Sequence, residues 1–127
     1  MNELTEEWML KAEQDFNAAN LLMYAGESPI PDYVSFHCQQ CAEKYLKAYL
    51  QEHGVEFERR HDLLSLLNLC QSLDNDFLEI KKDLSQLNRF AVVVRYPGIT
   101  VPLKTAKAAL KSADRVREFI RKKLKAK

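Results

Sequence analysis

The sequence is short of turn formers, with three glycines and four prolines in 127 residues. An all-β sandwich or barrel needs many tight turns, so that class is excluded. Long apolar runs are missing too: the densest stretch is Phe90–Val94, against the roughly 20 residues of a membrane-spanning helix. The opening residues MNELTEEWML are acidic and carry no basic region followed by an apolar one. No secretory leader is therefore expected there, and a soluble, cytoplasmic protein away from membranes is. Cysteine is scarce and odd in number, at three, which points to reduced thiols rather than a disulfide framework. A glycine-rich phosphate loop, G-x-S-x-G and H-E-x-x-H are all absent. Any chemistry would have to come from isolated polar groups brought together by folding.

What is present is helical periodicity. Apolar residues make up 46% of the chain and charged residues 29%, enough for one globular domain over residues 1–127 and too apolar for a disordered tail. Leu4, Trp8, Ala12, Phe16, Ala19 and Met23 are spaced three or four apart, which predicts a first amphipathic helix from about Leu4 to Ala25. A second is expected from Tyr33 to about His53, capped by Asp32, with Val34, Cys38, Cys41, Tyr45 and Tyr49 as its main stripe and Phe36, Ala42, Leu46 and Leu50 widening it. A helix apolar over more than half its girth is central or faces a second subunit. Glu43 and Lys47 stand four apart, an order that adds about 0.3–0.5 kcal/mol when exposed. A leucine-dense third helix is predicted from His61 to Leu73. A fourth carries Phe77, Ile80, Leu84, Leu87 and Phe90 or Ala91, and a last runs from Pro102 at its first position to about Leu124, with Leu103, Ala106, Leu110, Ala113, Val116 and Ile120 inward. The expected fold is all-α, an antiparallel up-and-down bundle of about five helices.

A formal net charge of +1 conceals an uneven distribution. Residues 1–58 balance at −8, residues 59–101 at +1 and residues 102–127 at +8. In one reading the basic last helix packs beside the acidic first and the charges neutralise each other. In the other, Lys104, Lys107, Lys111 and Arg115 form an exposed ridge that attracts phosphates.

Few side chains offer chemistry. His37, Cys38, Cys41 and His61 are the only candidate metal cluster, but a structural zinc site takes its pairs from a turn, with a second pair at similar spacing. Buried core cysteines are the favoured reading, so neither a metal nor any other cofactor is expected. The remaining polar candidates are His37, Gln40, Lys44, His61, Arg95, Tyr96 and Lys104. Arg95 follows an apolar run directly, where a guanidinium calls for a carboxylate such as Glu43 or for a phosphate.

Trp8-x-x-Lys-Ala-Glu13-x-Asp15, Phe36-His-Cys-Gln-Gln-Cys-Ala-Glu-Lys-Tyr-Leu-Lys-Ala48, His61-Asp-Leu63 and Leu87-Asn88 leading into Arg95-Tyr-Pro97 together resemble the HEPN domain family over nearly the whole chain. The resemblance implies a helical bundle, usually a homodimer, with a polar cleft near the end of the fourth helix. Many such proteins are partners of a small nucleotidyltransferase, some as toxin–antitoxin pairs. A subset are metal-independent ribonucleases with an Arg followed four to six residues later by a His. Here no His follows His61, so the motif is absent and a non-catalytic role is favoured.

Three functions remain open at this level. One is a nucleotide- or RNA-binding homodimer working with a nucleotidyltransferase partner, with Arg95, Tyr96, Lys44, Gln40, His37 and Lys104 as its contacts. Another is a ribonuclease with an irregular active site built on Arg95 and His61. The third is a helical scaffold that only binds protein.

Overall fold

The computed structural model describes residues 1–59 and 62–125. Among the described residues five α-helices follow one another: α1 (Glu3–Tyr24), α2 (Pro31–Glu52), α3 (Leu63–Leu73), α4 (Lys81–Leu87) and α5 (Leu103–Lys125). Short 3₁₀ segments at Asn75–Ile80 and Asn88–Ala91 flank α4. No strand occurs among the described residues, and none of the described helices is long and apolar enough to cross a membrane.

Helix α2 is the axis of the bundle. It packs against α1, α5, α3 and the α4 segment, and Val34, Cys38, Cys41, Ala42, Tyr45, Leu46, Ala48 and Leu50 are wholly buried. Each large apolar side chain so covered contributes about 1.5–3 kcal/mol. The three cysteines are therefore core residues; all are free and buried. Among the described residues no group of three His, Cys, Asp or Glu side chains is placed to hold a metal ion.

Several expectations shift. Helix α2 begins at Pro31, with Ile30 at the cap position, because proline's fixed φ suits a first turn that needs no N–H. Asp32 is thus freed from capping, and its Oδ1 accepts from the Val101 backbone N–H at 2.7 Å. Asp62 caps α3 by accepting from the Leu64 N–H at 3.1 Å and the Ser65 hydroxyl at 2.8 Å, so the helix starts at Leu63; His61 lies outside the described residues. The predicted fourth helix is broken into 3₁₀, α and 3₁₀ pieces. Pro102 stands before α5 rather than inside it, its carbonyl accepting from the Ala106 N–H at 3.1 Å. Leu4 and Leu103, placed on inward stripes by spacing, are more than a third exposed, as is Leu69 of the leucine-dense third helix. The first two sit in terminal turns, where the stripe runs past the edge of its partner helix.

Glu43 and Lys47 form no surface pair. Both are buried, their charged ends 2.8 Å apart, and the Lys47 ammonium lies 5.4 Å from the centre of the Trp8 ring and 5.6 Å from that of Phe57. The two rings meet edge to face at 6.0 Å and close over the ion pair.

Candidate functional site

The segment between the second 3₁₀ turn and α5 is a strap pinned at both ends. At its entry, Asn88 accepts from the Leu63 N–H at 2.9 Å and donates to Asp62 at 3.0 Å, which holds the segment against the start of α3. Val93 then sinks into the core. At the exit Val101 is buried as well, and its N–H is held by Asp32. Between these pins the chain turns outward. The Arg95 N–H bonds the Val92 carbonyl at 3.1 Å, and Pro97 precedes Gly98 at φ 85°. Proline followed by a residue of positive φ is the pattern of a type II turn, and glycine meets the second requirement without strain.

This geometry places Arg95 and Tyr96 in solvent, Tyr96 at 57% exposure. Among the described residues Arg95 has no ion pair, and Glu43, its candidate partner from sequence, is bonded to Lys47 instead. Val92, Ile99 and Leu103 are also more than a third exposed, so cationic and apolar groups alternate along the strap and into α5.

Lys104 follows in the first turn of α5. With Arg89 it lines a cleft of about 280 Å³ whose walls also include Gln86, Phe90, Thr105 and Ser112. The Arg89 guanidinium rests 4.9 Å from the Phe90 ring centre, and neither cation meets a carboxylate among the described residues. Sequence reasoning missed Arg89. It lay on the polar side of a predicted helix, and its cleft partner is fifteen residues further on.

His37, Gln40 and Lys44 form a separate set on the α1–α2 seam. His37 Nδ1 and the Lys44 ammonium both engage the buried Asp15 carboxylate. Gln40 donates to Gln39 at 2.8 Å and Glu43 at 3.3 Å. No hydrogen bond or ion pair among the described residues joins this set to Arg95, Tyr96 or Lys104.

The basic last helix is neutralised along only part of its length. Arg117 pairs with Glu13 of α1, Arg115 with Asp83 of α4, and Lys123 with Asp74 and Asp76. Lys104, Lys107 and Lys111 are exposed and make no ion pair among the described residues. Lys122 and Lys125 near the other end are likewise exposed with no ion pair among the described residues, so unpaired charge lies at both ends of α5, one of which the strap enters.

The model of the family described as "HEPN domain" matches residues 5–124. A relative from Methanocaldococcus jannaschii, described as "Putative toxin MJ1304", is 31% identical, with 92% of this chain and 86% of the relative covered. Among solved structures, that of ST0689, described as an archaeal HEPN homologue, superposes with a TM-score of 0.74 at 25% identity over 97% of this chain and 98% of that one.

Proposed function

The chain belongs to the HEPN domain family, and on that premise we propose a nucleotide- or RNA-binding homodimer that works with a minimal nucleotidyltransferase in a toxin–antitoxin-like pair. The observation that carries this reading is the pinned strap, which holds an unpaired Arg95 and an exposed Tyr96 in solvent. An uncompensated guanidinium beside an aromatic ring suits a phosphate joined to a base. The exposed Val92, Ile99 and Leu103 form the patch that a second copy covers. A twofold arrangement then sets two Arg95 side chains on either side of one cleft. The toxin description of the M. jannaschii relative supports the paired setting. His37, Gln40 and Lys44 serve the α1–α2 seam, and the missing His after Arg95 favours binding over cleavage.

Titration of the protein with ATP, GTP and a short RNA, alongside Arg95→Ala, tests the reading. A loss of about tenfold or more in affinity, equivalent to roughly 1.4 kcal/mol, supports it. Equal affinity in the two proteins removes Arg95 as the contact. A monomer mass by light scattering at micromolar concentration removes the homodimer.

A further inference from the structure

The strap is not the only place where positive charge lies open. In the α4–α5 cleft Arg89 and Lys104 both belong to the lining, and no carboxylate does. The nearest acid on α4, Asp83, is already held by Arg115 through two hydrogen bonds of 2.9 and 2.7 Å to one of its oxygens. Arg89 is exposed and lies against the ring of Phe90, and none of its hydrogen-bonding capacity is taken up by a carboxylate among the described residues. Gln86 and Thr105 add neutral hydrogen-bonding groups to the walls, while the buried Ser112 hydroxyl is already bonded to Gln86.

Outside the cleft the charge continues in one direction. Lys107 and Lys111 follow Lys104 by three and seven residues, and all three are exposed. At 1.5 Å of rise per residue they extend about 10 Å along one face of α5. The run stops at Arg115, which Asp83 neutralises. A single small anion would engage only the cleft, whereas a chain of phosphates engages the cleft and the row leading out of it.

We infer that the α4–α5 cleft, through Arg89 and Lys104 with Lys107 and Lys111 beyond it, is a binding track for the phosphodiester backbone of a single-stranded RNA. The inference rests on the nucleic-acid reading of the strap and adds a second contact region to it. The groups involved are charges and small polar side chains, so the track holds backbone without selecting sequence.

The test is fluorescence anisotropy with a labelled oligouridylate over a range of salt concentrations. The proteins are wild type, Arg89→Ala/Lys104→Ala, Arg95→Ala and the control Lys122→Ala/Lys125→Ala, which removes two exposed cations from the far end of the same helix. The track predicts that the cleft double variant binds about tenfold or more weakly. Its slope of log affinity against log salt should fall by about 1.4, the loss of two backbone contacts to a single strand, and the control should match wild type. A cleft variant that binds like wild type while Arg95→Ala fails overturns the track and leaves the strap reading standing. Equal weakening of the cleft variant and the control shows diffuse attraction and overturns the track as well. Absence of binding by wild type overturns both. As competitors, inorganic phosphate should displace the RNA poorly and an unlabelled oligonucleotide well. Displacement by polyglutamate as effective as by RNA identifies an acidic protein as the occupant and overturns the proposal.

Discussion

Arg117 of α5 grips Glu13 of α1 through two hydrogen bonds, Nε to Oε2 at 2.6 Å and Nη2 to Oε1 at 2.7 Å, across 104 residues of sequence. The Tyr45 hydroxyl donates to the same carboxylate at 2.5 Å, Arg121 stands 3.8 Å from it, and the Arg117 guanidinium lies over Phe16. One carboxylate thereby joins the first, second and last helices.

Burial alone would raise the Glu13 pKa, but hydrogen bonds from Arg117 and Tyr45 and the charges of Arg117 and Arg121 outweigh it and hold the carboxyl below its usual 4.5. A depressed folded value means that the stabilisation is complete above the unfolded pKa and disappears as pH falls through the folded one. Wild-type thermal stability should therefore drop on acidification below about pH 4.5. Glu13→Gln should lose about 2 kcal/mol at neutral pH and show a flatter acid limb by calorimetry. An acid limb as steep as that of wild type refutes the assignment.

Lys47 is buried with Glu43 beneath Trp8 and Phe57. Removing one member of such a pair strands the other charge away from water, at a cost of about 3–5 kcal/mol. Lys47→Ala should destabilise by that order in urea unfolding, far more than an exposed lysine of α5 such as Lys122, where a change within about 0.5 kcal/mol is expected. Comparable small losses in both would mean that the pair is solvated.

Gly98 holds φ at 85° with nothing within 4 Å of where a Cβ would stand. Space is no obstacle, so the cost of Gly98→Ala is conformational, about 1–2 kcal/mol. That strain falls on the strap between its pins. Ligand affinity should therefore weaken, and the melting temperature should fall by several degrees. A variant that binds normally would show that the turn does not set the position of Arg95.

The cysteines should be silent in the native state. Burial pushes Cys38 and Cys70 up to about 12, with the Asp15 charge adding to it at Cys38, and burial followed by the Cys38 charge raises Cys41. A thiol reagent near pH 8 should label none of the three until denaturant opens the fold. Rapid labelling of any one under native conditions would contradict its place in the core.

Helices α2 and α5 were legible because their apolar positions keep a period near 3.6 for many turns, and apart from Leu103 the observed core follows their main stripes. The α4 region was not. Phe77, Ile80, Leu84, Leu87 and Phe90 are all buried, but all their steps except Ile80 to Leu84 are of three, which suits a 3₁₀ turn as well as an α-helix, so spacing alone could not divide the segment. Regional charge suggested that the last helix meets the first. It could not show that Glu13 takes Arg117 while Asp83 takes Arg115, since partners are chosen by packing geometry. Likewise spacing paired Glu43 with Lys47 without showing whether the pair is exposed; Trp8 and Phe57, distant in sequence, cover it. Of the candidate site, Arg95, Tyr96 and Lys104 could be named from their residue types. Arg89 could not, because a cleft between two helices leaves no periodic trace.

The position of α2 also bears on how the protein is made. Its apolar surface is covered by α1, which precedes it, and by α5, which is made some fifty residues after it. Until α5 arrives, the side of α2 and α4 that it shields stands open to water and to other nascent chains. A chain cut before Leu103 should therefore be captured by chaperones or cleared, with no partly working form in between.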